Sequence, residues 1–262
     1  MWLEAEPDRQ KNNESYWLKQ FVGELPVLEL PTDYLRPPVH SFEGEYITYT
    51  LNESVCSAVR AFMKRRRVTL YTVLLSVYDI LLHKYTNQND IVVGVPVSDR
   101  PHPDVQRTVG MFVNTLAVRN RLEADQTFSS FLETVNLQVL DMYEHQDYPL
   151  EELVEKLNIQ RDISRNPLFD TMFGVQNIEV SEFQFGDAIV EALNIPWNNS
   201  KFDMSWTVID DELLHIGVEF STALFKKETV LRMMRQFEWI LEQIVTQDEI
   251  RIAQLKLLTP TE

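Results

Sequence analysis

The stretch Gly94-Val-Pro-Val-Ser-Asp-Arg-Pro-His-Pro-Asp-Val-Gln-Arg-Thr-Val-Gly-Met-Phe-Val-Asn-Thr-Leu-Ala-Val-Arg-Asn120 is the one around which the chain is read. Just ahead of it, Ile91 to Val95 is a β-branched run that favours a strand. Pro96, Pro101 and Pro103 have no N–H to give a neighbouring strand, so pairing is expected to stop at Pro96 and a structured loop to begin. From Gly110 the apolar pattern returns with period two. Met111, Val113, Thr115 and Ala117 fall on one face, and Phe112, Asn114, Leu116 and Val118 on the other. Both faces read as covered. Asn114 interrupts its apolar face, and an amide left unpaired in a covered strand costs about 1–3 kcal/mol. Either the fold or a ligand must satisfy it.

The flanking sequence alternates strands with helices. On the N-terminal side, Asn13 to Phe21 reads as a short helix. Residues 23–45 hold Pro26, Pro31, Pro37 and Pro38, which favour an extended connector along a surface. Tyr46 to Leu51 alternates as a strand. A helix follows, with Asn52 or Ser54 as its cap and Val55, Val59, Phe62 and Met63 on one face. Thr69 can cap a second helix reaching Tyr85 that is apolar nearly all round, so a central position is expected for it.

On the C-terminal side, Thr127 can cap a helix to Glu144. Pro149 suits the first position of a shorter one, which Asp147 could cap. Phe169, Thr171, Phe173 and Val175 alternate as a strand. Phe202 to Val208 and Leu214 to Phe220 read as a hairpin across Asp210-Asp211-Glu212. A last helix is expected from Lys227 to Thr246 with Val230, Leu231, Met234, Phe237, Leu241 and Ile244 inward. Residues 247–262 read as a linker. The pattern predicts an α/β protein, a layered mixed sheet with packed helices.

Composition narrows the function. Forty acidic and 24 basic side chains give a net charge of −16, which repels phosphate backbones and anionic lipid, so neither nucleic acid nor membrane is an expected partner. The basic run Lys64-Arg65-Arg66-Arg67 falls at a helix end, where cations suit the dipole. One cysteine, Cys56, allows no internal disulfide and no Cys-pair zinc site, which fits a reducing cytoplasm. The five histidines have no metal-ligand spacing, and seven glycines leave little for a phosphate cradle. His145 beside Asp147 has the makings of a base with an orienting carboxylate, but capping at a helix end explains both. Arg161, Asp162, Arg165 and Asp170 read either as a charged site or as a solvated ion-pair cluster.

Three segments resemble a known family. Val109-Gly-Met-Phe-Val-Asn-Thr115 with Arg119, then His145-Gln-Asp-Tyr-Pro-Leu-Glu151, then Arg161-Asp-Ile-Ser-Arg-Asn-Pro-Leu-Phe-Asp170, are similar to the fifth, sixth and seventh core motifs of condensation domains from nonribosomal peptide synthetases. Leu28-Glu-Leu-Pro-Thr-Asp33 resembles the connector before that domain's C-terminal lobe. Leu257-Leu-Thr-Pro260 resembles the junction to a following adenylation domain.

The resemblance implies one chloramphenicol-acetyltransferase-like lobe spanning residues 1–262, with residues 1–12 a leading segment, 23–45 the connector and 247–262 a linker. Such domains join carrier-bound aminoacyl and peptidyl thioesters by amide formation, a step of antibiotic biosynthesis. The expected partners are the N-terminal lobe, the donor and acceptor peptidyl carrier domains and the adenylation domain. Phosphopantetheine arms of the carriers present the substrates, and no cofactor binds the lobe directly. The family's H-H-x-x-x-D-G motif is absent, so no catalytic residue is assigned and the lobe is expected to be inactive alone. The alternative is a non-catalytic carrier-docking or scaffold module of the same fold.

By resemblance, the loop from Ser98 floors the substrate tunnel with Ser98 near the reacting centre, Arg100 and Asn114 line or brace it, and Asn198, Asn199 and Ser200 face the channel. The hairpin from Ser205 to Thr222 would be a latch crossing to the other lobe, loosely packed without it. Arg119, His145, Asp147, Arg161, Arg165 and Asn166 are expected to hold the lobe together, with substrate contact the alternative for Arg119, Arg165 and Asn166.

Overall fold

In a computed structural model the described residues are 7–98, 108–176, 198–260 and 262. Among them six α-helices, α1 (Pro7–Gln20), α2 (Glu53–Arg66), α3 (Leu70–Thr86), α4 (Phe128–Glu144), α5 (Leu150–Lys156) and α6 (Lys227–Thr246), and a short 3-10 turn at Ile252–Gln254 accompany six strands. The strands are β1 (Gly44–Thr50), β2 (Asp90–Ser98), β3 (Val113–Arg121), β4 (Thr171–Gln176), β5 (Met204–Asp210) and β6 (Leu214–Ser221). They form one mixed sheet in the order β1-β6-β5-β4-β2-β3, parallel only at β2–β4 and β4–β5.

Local chemistry sets most of the helix ends. The hydroxyls of Thr69 and Thr127 accept hydrogen bonds from the backbone N–H groups of Thr72 and Ser130, which caps α3 and α4. At Asn52 the side chain makes no cap. Instead the Glu238 carboxylate of α6 accepts from both the backbone N–H and the side-chain amide of Asn52. Arg67 closes α2 in the left-handed region, and Arg66 pairs with Asp248 and Glu249. The basic run therefore ties α2 to the chain after α6. Helix α3 is buried along nearly its whole length and packs against α2, α4 and α6, the central position expected of it.

Several expectations are corrected. Pairing does not stop at Pro96, which stands opposite Thr115 in the β2–β3 ladder. A Cβ built on Gly174 would lie 3.1 Å from Pro96 Cγ, so the ring faces β4, and β2 and β4 share only the Gly94–Met172 pair. The missing N–H ends the ladder to β4 and leaves the one to β3 intact. Strand β3 starts at Val113, and Val109 and Met111 ahead of it are 100% and 93% exposed rather than covered.

The hairpin β5–β6 is not a loosely packed latch. It sits in the middle of the sheet with β4 on one side and β1 on the other, and Trp206 is 1% exposed. Its apolar face, with Val208, Ile216 and Val218, is buried, and the Trp206 ring packs between Tyr78 of α3 and Phe237 of α6. Nor does the whole of 247–262 hang free. Ile252 and Leu255 are buried, and the backbone of Asp248 to Ala253 bonds to residues 124–129 at the start of α4. No helix among the described residues is long and apolar enough to cross a membrane.

Candidate functional site

Strand register sorts side chains onto two faces of the sheet. One face carries Ile91, Val93 and Val95 of β2, Phe173 of β4, Met204, Trp206 and Val208 of β5, and Ile216 and Val218 of β6, all buried in the core with the helices. The opposite face is different. Its middle row runs Pro96, Gly174, Thr207, Gly217 and Thr48 across five strands. On one side of that row lie Met172, Ser205, Glu219 and Tyr46, and on the other Gln176, Ile209, His215 and Thr50. Tyr46, Thr48, Thr50, Gln176, Pro96 and Ser98 are exposed, and Ser205, Thr207, Ile209, His215 and Glu219 are half-buried. Gly174 and Gly217 are buried, so among the described residues this face is a partly open wall of small and polar side chains, exposed at Pro96, Thr48 and its rims.

Close approaches shape the wall. Phe169 covers one end, where a Cβ on Gly94 would come within 2.2 Å of its ring. Tyr46 lies over Gly217, where a Cβ would meet the phenol oxygen at 2.0 Å, and burial holds that phenol above its ordinary range. These two glycines are required for packing, not for backbone freedom.

The expected tunnel residues separate on this sheet. Ser98 ends β2 on the open face beside exposed Val113. Asn114 pairs with Val97 and so faces the core side. Its Nδ2 donates to the carbonyls of Gln146, at 2.7 Å, and Tyr148, at 3.0 Å, while its Oδ1 accepts from the Thr115 N–H. Arg100 lies outside the described residues, as does most of the linker-like stretch after Gln176. Asn198 to Ser200 tie down the start of β1. Gly44 N–H donates to the Asn198 carbonyl, Ser200 N–H donates to the Phe42 carbonyl, and the buried Ser200 hydroxyl donates to the Phe202 carbonyl. Asn199 bridges to Glu43.

The remaining motif residues bind elements together. Arg119 is buried, pairs with Asp90, and donates to the carbonyls of Gln20, Val22 and Glu24, fastening the end of α1 to the sheet. His145 sits at the end of α4 with its Nδ1 2.7 Å from Asn13 Oδ1 and its ring stacked on Tyr16. Asp147 pairs with Arg9 of α1 and caps nothing, since α5 starts after Pro149 with no side-chain cap. Arg165 holds Asp170 and the Leu28 carbonyl, Asn166 donates to the Lys201 carbonyl, and Asp162 accepts from Ser164. Arg36, which no motif flagged, completes that cluster by pairing with Asp203 and donating to the Ser164 carbonyl. Burial, and then the neighbouring Asp203, push Asp170 up to about 6. Arg161 is exposed.

Chemically, among the described residues the open face supplies hydrogen-bonding groups and no reacting set. His215 Nδ1 lies 2.9 Å from Thr50 Oγ1, and no carboxylate orients that imidazole among the described residues. A nucleophile, a base and an orienting group therefore do not converge there. No cluster among the described residues could hold a metal ion. A cleft of about 170 Å³ between Leu25–Leu28 and Ile159–Asp170 sits near the Asp90 end of β2, away from Ser98. Sequence reading missed Tyr46, Thr207, His215 and Glu219. Their signal was the second, polar face of each alternating strand, together with Gly174 and Gly217.

Comparison with known proteins places this geometry. The chain is 40% identical over 263 residues to surfactin synthase subunit 2 of Bacillus subtilis (strain 168), covering 100% of this chain and 7% of that protein. It is 41% identical over 256 residues to tyrocidine synthase 3 of Brevibacillus parabrevis, covering 97% of this chain and 4% of that protein. The chain thus spans a small fraction of the length of these relatives. Among solved structures, a four-domain nonribosomal peptide synthetase bound to AMP and glycine superposes with a TM-score of 0.87 at 24% identity, covering 98% of this chain and 21% of that one. The condensation domain of the Monacolin K polyketide synthase superposes with a TM-score of 0.81 at 19% identity, covering 96% of this chain and 60% of that one. The family model for the condensation domain matches residues 2–262, and with that match the chain belongs to the condensation-domain family.

Proposed function

We propose that this chain is the C-terminal lobe of a condensation domain that joins carrier-bound aminoacyl and peptidyl thioesters by amide formation, and that its open sheet face is one wall of the channel where they meet. The observation that carries the reading is that face. A mixed sheet buried under helices on one side leaves small and polar side chains partly open on the other, with Pro96 and Thr48 exposed and Thr207 half-buried between the covered Gly174 and Gly217. Coverage of 60% of a solved condensation domain supports a partial domain.

The reaction asks little covalent chemistry of such a wall. The acceptor amine attacks the thioester carbonyl, a C–N bond forms, the C–S bond breaks, and the thiol leaves with the amine's proton. Holding the two reactants in line and excluding water is a large contribution to rate by itself. The lobe's part is to position, and the residue that handles the proton belongs to the other lobe, so the isolated chain makes no amide. Ser98 and Val113 sit where the wall meets the loop that leaves β2. The carrier domains deliver substrates on phosphopantetheine arms, and an adenylation domain follows residues 247–262.

The test is Thr207→Trp in the two-lobe enzyme. Thr207 lies between Gly174 and Gly217 on the open face, so an indole there fills the wall and leaves the core alone. Amide formation should fall at least roughly tenfold, equivalent to about 1.4 kcal/mol of barrier, with the melting temperature unchanged. An unchanged rate contradicts the assignment of this face.

A further inference from the structure

Helix α3 carries one acid in its buried length. Asp79 is fully buried, and its one hydrogen-bond partner among the described residues is Asn120 of β3, whose Nδ2 donates to Asp79 Oδ2 at 2.6 Å. The other oxygen of each side chain, Asp79 Oδ1 and Asn120 Oδ1, is buried with no partner among the described residues. An ionised carboxylate only accepts. It would leave Asn120 Oδ1 without a donor and set a bare charge in the core beside it, an arrangement that proteins avoid by neutralising the group. A protonated acid has one O–H to give, and the oxygen that lacks a donor is the second atom of the same amide. We propose that Asp79 is held as a neutral carboxylic acid that closes a two-hydrogen-bond ring with the Asn120 amide, so that a proton fastens the central helix to an edge strand of the sheet.

The surroundings agree with that. Burial pushes Asp79 up to about 8, and the Asn120 bond lowers it only in part. The other titratable groups facing it are Tyr71 and Tyr78 of the same helix, phenols that burial holds well above their ordinary range and therefore neutral. No lysine or arginine pairs with Asp79 among the described residues. His83, one turn further on, has its Nδ1 engaged by the Gln88 carbonyl. From β3 the facing group is Asn120 itself, and no charged side chain of α4 bonds to the pair.

The direction with pH follows. The folded value lies above the ordinary carboxylate value, so folding takes up a proton in the window between them. The stabilisation is complete below about pH 4 and is lost as pH rises toward 8. Strand β3 also presents Val113 beside the open face and Asn114 and Arg119 at their ties, so the clasp holds the strand that borders the proposed wall.

Carbon-13 NMR of the aspartate side-chain carboxyls in the wild-type chain, with Asp79→Asn used to assign the resonance, reads the protonation state directly. The expected result is a protonated Asp79 carboxyl at about pH 6 that titrates well above the ordinary carboxylate range. Asp79→Asn, which replaces the O–H by an N–H donor, should melt higher than wild type, by a margin that widens by several degrees between about pH 5 and pH 8. A carboxyl already ionised at about pH 6 overturns the proposal. So does a melting difference between the two proteins that is flat with pH, and if the variant fails to fold the wild-type titration still decides.

Discussion

Replacing Asn114 by leucine removes three hydrogen bonds at one point. The carbonyls of Gln146 and Tyr148 lose the amide that donates to them, and the Thr115 N–H loses its acceptor. Asn114 is half-buried, so water can reach part of what is stranded, and the cost falls below that of three fully buried orphans. At about 1 kcal/mol for each bond lost, the destabilisation should be about 2–3 kcal/mol. For a chain of this size that is a fall of roughly 5–10 °C in melting temperature, readable by circular dichroism. Asn114→Asp keeps the acceptor for Thr115 and loses both donors, so it should fall by a comparable amount at neutral pH. The reasoning fails if Asn114→Leu melts within about 2 °C of wild type while a two-lobe enzyme carrying it loses rate. That pair of results would place Asn114 at the substrate instead of at the turn before α5.

Two further substitutions probe how the sheet is held. Arg119→Met leaves Asp90 without its buried partner and three carbonyls without a donor, and because Asp90 stays partly exposed the loss should be about 3 kcal/mol, measured as a lower urea midpoint at unchanged slope. Gly94→Ala drives a methyl into the Phe169 ring and should cost about 1–3 kcal/mol, with part of it regained when Phe169→Leu is added. Equal losses in the single and double variants would show that the ring is not the obstacle.

How far the fold was legible depended on the range of the interactions that decide it. Helix α6 was readable at both ends because its apolar residues repeat at helical spacing, and Thr69 and Thr127 announce caps that act within three residues. The order of strands was not readable. Burying β5–β6 in the middle of the sheet requires β1, some 170 residues earlier, to pair with β6, and no local pattern encodes that. Which residues share a face across two strands depends on register for a related reason. Ser98 and Asn114 look like one site when a loop joins them, but the register sets Ser98 against Val113 and Val97 against Asn114, which puts the two on opposite sides. Arg36 was invisible because its partner Asp203 lies far along the chain. The partners of Arg119, Arg165 and Asn166 were equally hidden, since each bonds to backbone of a distant segment.

The family assignment rests on matched sequence, and the half-domain role rests on a sheet with one open face, so the decisive experiment joins the halves. This chain and the lobe that precedes it in a condensation domain, produced as separate polypeptides, would be mixed with loaded donor and acceptor carriers, and amide product followed by mass spectrometry. The account predicts product only when both lobes are present, and its loss when Thr207→Trp fills the open face. Amide formed by this chain alone, above the level without protein, would contradict it.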